Sequence, residues 1–274
     1  METIKNQLSD LLSPEAQRRA RSLWYLGKRI SQWPSALLHP WRRKSIRRLG
    51  DLADAHKGKR CFVIGNGPSL KETDVYKLKG EYTFGMNRIY LAFDDWGFTP
   101  SYLVSVNDLV IEQCAEDFRE LTLPKFFSWR ARHLLYPEGT PDDNTHFLFT
   151  TYTGPTFARD ARGRMWEGAT VTYVCLQLAF HMGFNKVILI GVDHSFSTDG
   201  EPNTTVVSRG ADSNHFSEEY FGKGFRWQLP DLETSEISYK IARDVYEKAG
   251  REIVDATIGG KLEVFPKVEY TSLF

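Results

Sequence analysis

The sequence lacks the features that define several common classes of protein. Its 274 residues include three cysteines, Cys61, Cys114 and Cys175, an odd number at wide spacing with no Cys-x-x-Cys pair. This argues against a disulfide framework and a cysteine zinc site, and it favours a reducing cytosol. No run of about 18 apolar residues occurs, and the first residues lack the apolar region of a signal peptide. We therefore expect a cytoplasmic protein.

The chain also lacks a net charge, because 35 Lys and Arg residues balance 35 Asp and Glu residues. This removes the general argument for a nucleic-acid binder, so we expect no nucleic-acid partner. The charges are nevertheless segregated. Residues 1–50 hold 11 basic and 3 acidic side chains, a net +8, which leaves 24 basic and 32 acidic side chains, a net −8, in the other 224 residues.

The basic segment, residues 14–49, interleaves Arg and Lys with Trp and Leu. It predicts two or three short helices broken at Pro34 and Pro40. This composition is typical of helices on anionic membrane surfaces, which would place the protein at the inner membrane face. The alternative is an arm packed on its own domain or on a neighbouring subunit of a homo-oligomer, with its charges solvated. We expect a separable arm, residues 1–57, followed by one domain, residues 58–274.

From residue 59 onward, short apolar runs alternate with amphipathic stretches, which is typical of an α/β fold. We expect a Rossmann-like, mostly parallel sheet with helices on both faces. The predicted strands are Arg60–Gly65, Tyr82–Asn87, Ser101–Asn107, Lys125–Trp129, His146–Thr150, Lys186–Val192 and Arg251–Asp255. The predicted helices are Ser69–Leu78, Arg88–Trp96, Asp108–Leu121, Ala169–Phe184 and Glu233–Ala249.

Two long segments, residues 151–168 and 194–232, have no clear period and are rich in Gly, Pro, Asn, Asp and Thr. Loops of this length in a compact domain are usually functional. We expect residues from about 195 to 232 to form a mobile lid.

The strongest local signal is the turn after the first strand, where Gly65, Asn66 and Gly67 lead into Pro68 and Ser69. Glycines allow a ligand to approach the backbone, and a helix N-terminus offers unpaired amides, so we expect an anion there. The spacing is neither the GxGxxG fingerprint nor a Walker P-loop. Simple turn chemistry is the alternative.

Asparagines also end the next two strands, in Gly85-Met86-Asn87-Arg88 and Ser105-Val106-Asn107-Asp108. Ligands of open parallel sheets bind at the carboxyl ends of the strands, so Asn66, Asn87 and Asn107 are expected to face one crevice. Their amides suit a ribose or a base edge. Each asparagine is alternatively a helix N-cap.

Three further residues are expected near this crevice. Thr170 lies at the start of a predicted helix, and Asp193 and His194 end a predicted strand. Either of the latter two is a candidate for contacting a nucleotide or a catalytic water. For Asp193 the alternative is a carboxylate that caps or braces a loop.

The ordered set GNGPSL, GMNRIY, SVND, GATVTY and GVDHSF resembles a known family over roughly residues 58–270. It is similar to the bacterial proteins described as 6-hydroxymethylpterin diphosphokinase-like, which include the motility-accessory-factor glycosyltransferases. More distantly it resembles the bacterial sialyltransferases of glycosyltransferase family 42.

The resemblance implies a metal-independent inverting transferase with no obligatory cofactor. Its donor would be a CMP-activated nonulosonic acid, and its acceptor a surface glycan, a lipid-linked glycan or a protein. The resemblance implies that the donor is bound by Gly65, Asn66, Gly67, Pro68, Ser69, Asn87, Asn107 and Thr170. We add Asp108 and Asp193 as candidate donor-binding residues. A lid histidine would act as general base, which here matches His215, and one of two phosphate-facing tyrosines matches Tyr220.

The residues themselves leave the catalytic roles open between His215 and His194, and between Tyr220 and Arg88 for the departing phosphate. A pyrophosphokinase acting on a pterin alcohol is an alternative function. It would need Mg-ATP and clustered carboxylates, and the only adjacent aspartate pairs, Asp94-Asp95 and Asp142-Asp143, do not end predicted strands. A non-catalytic nucleotide-binding module is the third alternative.

Overall fold

A computed structural model describes Leu23, Gly27, residues 30–197 and residues 200–274. Within these residues the main sheet has eight strands in the order β10-β7-β1-β2-β3-β4-β5-β6, and every neighbouring pair is parallel. The strands are β1 Arg60–Ile64, β2 Thr83–Met86, β3 Tyr102–Ser105, β4 Lys125–Ser128, β5 Thr145–Thr151, β6 Arg164–Trp166, β7 Lys186–Ile190 and β10 Glu252–Asp255. A separate antiparallel pair joins β8 Thr205–Val207 to β9 Arg226–Gln228.

The seven predicted strands are all present, which confirms the predicted fold class. They are nearly continuous apolar runs because both faces of the sheet are covered. Along β1, Cys61 and Val63 belong to the core on one face, whereas Phe62 and Ile64 belong to the core on the other. Strand β6 lies inside the predicted loop 151–168, where its three residues are too few to show a period.

Helices flank the sheet, and several are shorter than predicted. Besides the helical residues 30–38, the helices are α1 Pro40–Leu52, α2 Phe93–Trp96, α3 Asp108–Gln113, α4 Ala115–Glu120, α5 Arg132–Leu135, α6 Val171–His181 and α7 Leu232–Lys248. Short 3₁₀ turns occupy Pro68–Lys71, Val75–Leu78, Ile89–Ala92, Trp129–Ala131 and Tyr270–Leu273.

The predicted helix Ser69–Leu78 is wrong in detail, because it is two 3₁₀ turns. The hydroxyl of Thr73 donates to the Ser69 carbonyl, and the amide of Val75 bonds the Thr73 carbonyl. Such local bonds compete with a continuous helix. The predicted helix Asp108–Leu121 is likewise divided, at Cys114.

The predicted break at Pro40 is confirmed, and the one at Pro34 is wrong. Residues 30–38 are helical across Pro34. His39 then leaves the helical conformation, and its Nδ1 accepts a hydrogen bond from the Trp41 amide at 3.2 Å. Helix α1 begins at Pro40, where a missing amide hydrogen costs nothing.

The predicted separability of residues 14–49 is wrong for the part after residue 35, because α1 packs on the sheet. The amide of Phe147 in β5 donates to Ser45 Oγ at 2.9 Å. Arg42 is buried and donates to the Arg162 carbonyl at 2.7 Å. These contacts make α1 part of the domain, and the predicted arm before residue 23 lies outside the described residues.

The strand order changes direction at β1. The chain runs outward from β1 to β6, and then returns to place β7 and β10 on the other side of β1. In open parallel sheets such a switch point leaves a crevice at the carboxyl ends of the two central strands. The turns after β1 and β7, which begin at Gly65 and Gly191, therefore form the floor of the expected site. Among the described residues no helix is both long enough and apolar enough to cross a bilayer.

We predict that acid destabilises the fold through His146 in β5. Burial, with the nearby cations Arg48 and Lys44, lowers the pKa of His146 from 6.5 to about 4. The unfolded chain therefore binds an extra proton between these values, so stability is complete above pH 6.5 and is lost as the pH falls toward 4. The expected loss is about 3 kcal/mol. Urea unfolding across this range should show a clearly smaller loss for His146→Gln. The exposed His133→Gln should reduce the loss less, because burial and Arg132 lower the pKa of His133 less strongly. An equal loss in His146→Gln would contradict the assignment.

Candidate functional site

A cleft of about 800 Å³ lies at the carboxyl ends of the strands. It brings together most of the predicted site residues from six separate segments of the chain. Its wall includes Gly65, Asn66, Gly67, Asn87, Asn107, Thr170, Asp193, His194, His215 and Tyr220. Pro68, Ser69, Arg88 and Asp108 do not line it.

The floor of the cleft is a close crossing of the turns after β1 and β7. A β-carbon on Gly65 would lie 2.2 Å from the Gly191 carbonyl oxygen, and one on Gly67 would lie 1.8 Å from an Asp193 carboxylate oxygen. Neither distance is sterically possible. Gly191 itself has φ +64°, a conformation that favours glycine. The glycines are therefore required by contact between the two turns.

The expected anion site at the start of the Pro68 turn is filled by the protein itself. Asp193 accepts hydrogen bonds from the Ser69 amide at 3.1 Å and from the Ser69 hydroxyl at 2.7 Å. The Gly67 amide donates to the Gly191 carbonyl. Asp193 is thus a loop-bracing carboxylate, whose pKa is raised by burial and partly restored by the bonds from Ser69. The prediction that this turn offers free amides to a phosphate is wrong at Gly67 and Ser69.

Asn66 differs from its neighbours because its side-chain oxygen has no hydrogen-bond partner. It is 9% exposed and lines the cleft, and its Oδ1 is buried without a hydrogen-bond partner. Its backbone carbonyl accepts the amide of Phe216, which belongs to the predicted lid. A buried acceptor without a partner costs about 1–3 kcal/mol, so Asn66 is poised for a ligand that donates a hydrogen bond.

The other two asparagines are partly used by the fold. Asn107 caps α3, where its Oδ1 accepts the amides of Leu109 and Val110 at 2.9 and 3.3 Å. Asn87 Oδ1 accepts the Ser105 hydroxyl at 2.9 Å. These bonds occupy the side-chain oxygens. The Asn107 amide nitrogen remains available as a donor toward the cleft, whereas the Asn87 side chain also interacts with the Tyr220 hydroxyl.

Thr170 begins α6 at the cleft wall. Its Oγ1 accepts the Thr172 amide at 3.3 Å and lies 3.4 Å from the Tyr239 hydroxyl. The N-terminus of this helix, with its positive dipole end, therefore borders the cleft, and this is the part of the site where an anion is best accommodated.

Unfavourable backbone conformations are concentrated at the cleft. Five described residues other than glycine have positive φ, and four of them line this cavity. They are Asn87 at +49°, Ala169 at +59°, His194 at +54° and Asn203 at +64°. Such residues persist only where surrounding structure holds them, and they cluster at functional sites.

His215 lies on the predicted lid and is oriented by a carboxylate that sequence reasoning missed. Its Nδ1 lies 2.7 Å from Asp212 Oδ2, three residues earlier. Burial favours a higher pKa for Asp212, but hydrogen bonds from His215 and from the Asn214 and Phe221 amides hold it below its usual value. Because the ionised carboxylate only accepts, we assign the proton to Nδ1, which leaves Nε2 of the neutral ring as the acceptor.

Tyr220 supports the ring of His215 from one side. The two rings stack with centroids 3.9 Å apart and an angle of 11° between their planes. Burial raises the pKa of the Tyr220 phenol, which therefore remains a hydrogen-bond donor, and its hydroxyl interacts with the Asn87 side chain. Through Tyr220, the predicted lid thus contacts Asn87 at the end of β2 directly.

The predicted lid, about 195–232, contains the β8–β9 hairpin and is anchored by Arg88. The guanidinium of Arg88 donates to the carbonyls of Glu219 and Tyr220 and lies 5.1 Å from the centre of the Phe225 ring. Arg88 does not line the cleft. Its contacts hold the predicted lid segment on the domain, and its predicted role in contacting a departing phosphate stays a prediction.

His194, the other candidate base, has a different partner. Its Nε2 lies 3.2 Å from Glu236 Oε1 on α7. Both histidines line the cleft, but His215 is held by a nearly buried carboxylate, whereas the Glu236 side chain is 45% exposed.

Asp108 serves a buried arginine rather than the cleft. Arg130 Nε donates to Asp108 at 2.9 Å, its Nη1 donates to Glu167 and Thr150, and its Nη2 donates to the Val106 carbonyl at 2.6 Å. Arg130 therefore connects the ends of β3, β5 and β6. The partners of Arg130 are distant in sequence and gave no local signal. Asp108 does not line the cleft, and its predicted contact with the donor stays a prediction.

The carboxylates in the cleft wall are all engaged. Glu167 accepts from Arg130, Asp193 accepts from Ser69, and Asp231 caps α7 through the Thr234 amide at 2.9 Å. No lysine or arginine lines the cleft among the described residues. In that part of the chain, no three His, Cys, Asp or Glu side chains are grouped to hold a metal ion.

We predict that Glu167 stabilises the fold by neutralising Arg130. Glu167→Ala would leave the buried guanidinium without its main partner and should lower the free energy of unfolding by about 3–5 kcal/mol. Chemical denaturation measures this loss. Glu252→Ala, which removes a more exposed ion pair with Lys186, should cost under about 1 kcal/mol. Equal losses in the two variants would contradict the bracing role.

Two solved structures are similar to this chain. The MAf glycosyltransferase from Magnetospirillum magneticum AMB-1 is 14% identical with a TM-score of 0.49, over 85% of this chain and 39% of that protein. A mammalian sialyltransferase is 14% identical with a TM-score of 0.34, over 80% of this chain and 79% of that one. The chain thus spans about two fifths of the length of the first structure.

No curated protein sequence matches the chain. The family model described as 6-hydroxymethylpterin diphosphokinase MptE-like matches residues 42–199, which is more than half of the chain. The match begins inside α1, in agreement with the packing of that helix on the sheet, and it confirms the resemblance seen in the motifs. The chain belongs to the 6-hydroxymethylpterin diphosphokinase MptE-like family.

Proposed function

We propose that this protein is a glycosyltransferase that moves a nucleotide-activated sugar to a hydroxyl acceptor, with His215 as the general base. The motif resemblance suggests a CMP-nonulosonic acid as donor and a surface glycan, a lipid-linked glycan or a protein as acceptor. The observation that carries the proposal is the Asp212–His215 pair, which lies in the wall of the same cleft as the asparagines at the strand ends.

The pair supports base catalysis for a physical reason. Asp212 accepts the Nδ1 proton, so the Nε2 lone pair of His215 is available to take a proton from an acceptor hydroxyl. The same carboxylate stabilises the imidazolium that forms when the proton is taken. Direct displacement then joins the acceptor oxygen to the sugar as the bond between sugar and nucleotide phosphate breaks.

The strand ends support the donor site. Asn66 presents an unpartnered oxygen, and Asn107 keeps its amide donor after its internal bonds. Such groups complement ribose hydroxyls and base edges. We propose that the departing phosphate is met by the N-terminus of α6 beside Thr170 and by the protonated Tyr220 phenol.

We propose that the reaction needs no obligatory cofactor or metal, because every carboxylate of the described cleft wall already has a partner within the protein. The family description itself favours the alternative, a pterin pyrophosphokinase using Mg-ATP. The adjacent aspartate pairs do not line the cleft, and Asp142 and Asp143 bind Lys125 and Lys44.

The first functional prediction concerns nucleotide binding. In EDTA, CMP should stabilise the protein by about 2.7 kcal/mol at about 100 times its Kd, read as a shift in melting temperature. Asn66→Ala should weaken CMP binding by about 1–3 kcal/mol, since it removes a hydrogen bond to the ligand. Asn185→Ala, an exposed asparagine outside the cleft, is the control. Stabilisation by Mg-ATP and not by CMP would replace the transferase with the kinase.

The second functional prediction concerns the base. His215→Ala should lower turnover by about 10²–10⁴-fold and leave donor affinity nearly unchanged. Asp212→Asn should also lower turnover, because it removes the carboxylate that sets the tautomer. The exposed His133→Ala serves as control. Transfer rates at saturating donor and calorimetric donor affinities separate the two effects. If His194→Ala shows this pattern and His215→Ala resembles the wild type, His194 is the base.

A further inference from the structure

The helix formed by residues 30–38 has an unusual distribution of side chains. The face that packs on the domain carries small side chains, and some of them are polar. Ala36 is buried on this face, and the Ser35 hydroxyl accepts a hydrogen bond from Trp129 Nε1 at 3.0 Å. A surface helix of a globular protein normally turns its most apolar face toward the core.

Here the solvent-facing side is the apolar one. Ile30, Trp33 and Leu37 recur at three- and four-residue spacing and share one face, and they are 59%, 58% and 49% exposed. Leu38 continues this face and is 73% exposed. Pro34 lies between these side chains, and residues 30–38 include no charged residue. We call Ile30, Trp33, Leu37 and Leu38 the outer stripe.

Cations border the outer stripe along the chain. Lys28 and Arg29 precede it in the sequence, and Arg43 and Arg47 follow it as exposed residues of α1. The first 50 residues carry a net charge of +8, while the remainder carries −8. The outer stripe therefore belongs to the positively charged part of the sequence, which an anionic partner attracts.

We propose that the outer stripe is a docking surface for an anionic lipid bilayer, on which the helix of residues 30–38 lies parallel to the membrane plane. Trp and Leu on the apolar face and Lys and Arg beside it are the chemistry of interfacial helices, which bury their apolar face about 5–10 Å deep. The positive segment supplies attraction to anionic headgroups. This proposal stands independently of the reaction proposed above.

Charge favours a lipid surface over a second copy of the chain. A symmetric dimer through the outer stripe would bring together the exposed cations Arg43 and Arg47 of two copies, which repel, whereas an anionic bilayer neutralises them. The same cations also predict that attachment weakens as salt rises, because exposed charges are screened beyond about 8 Å at physiological ionic strength.

Flotation of the full chain with vesicles tests this proposal. We expect binding to vesicles of phosphatidylcholine with phosphatidylglycerol, weak binding to phosphatidylcholine alone, and release by salt. Trp33→Ser and Leu37→Ser should each lower the partition coefficient about tenfold. Tyr76→Ser and Ile237→Ser, at positions 63% and 46% exposed elsewhere on the domain, should leave it unchanged.

Melting curves of all four variants show that each remains folded. The proposal is overturned if the wild type does not float, if it binds both vesicle types equally, or if the stripe variants float as well as the controls. A wild-type dimer that does not float and that Trp33→Ser converts to a monomer would assign the outer stripe to a second copy of the chain instead.

Discussion

The steric crossing of the turns after β1 and β7 is the constraint on which the rest of the site depends. Carbonyl and carboxylate oxygens occupy the space where side chains of Gly65 and Gly67 would begin. This contact brings Asp193 onto Ser69, which fixes the turn that carries Asn66. A side chain at Gly65 would force the backbones of the two turns apart, and a side chain at Gly67 would displace the Asp193 carboxylate from Ser69.

The position of the candidate base follows from the same crossing. The Asn66 carbonyl accepts the amide of Phe216, which is the residue after His215. Arg88, from the turn after β2, holds the carbonyls of Glu219 and Tyr220. The chain on both sides of His215 is therefore hydrogen-bonded to the turns that follow β1 and β2, although His215 lies on a long irregular segment. A segment attached in this way can position the candidate base and the strand ends relative to each other.

The sequence predicted those features that depend on neighbouring residues, namely the strands and the starts of helices. Apolar runs identified seven strands, and proline and asparagine identified the starts of α1 and α3. Partners distant in sequence left no such pattern. Nothing near Asp193 indicates that it bonds Ser69, and nothing near Arg130 indicates Glu167, so a predicted anion site proved to be filled. Asp212 is three residues from His215, and that spacing was a signal that could have been found.

Cations are absent from the described cleft wall but are exposed near the outer stripe, so the two proposed binding surfaces differ in charge. The described cleft wall has no Lys or Arg, so a ligand there meets amides, a phenol, imidazoles and a helix N-terminus. Such buried dipoles are little affected by salt, whereas the exposed cations around residues 30–47 act at a surface where salt screens them strongly. The two proposals therefore differ in the response to ionic strength that they require. Raising salt is expected to release the protein from a bilayer through the exposed cations, whereas binding of a ligand by the dipoles of the cleft is expected to persist.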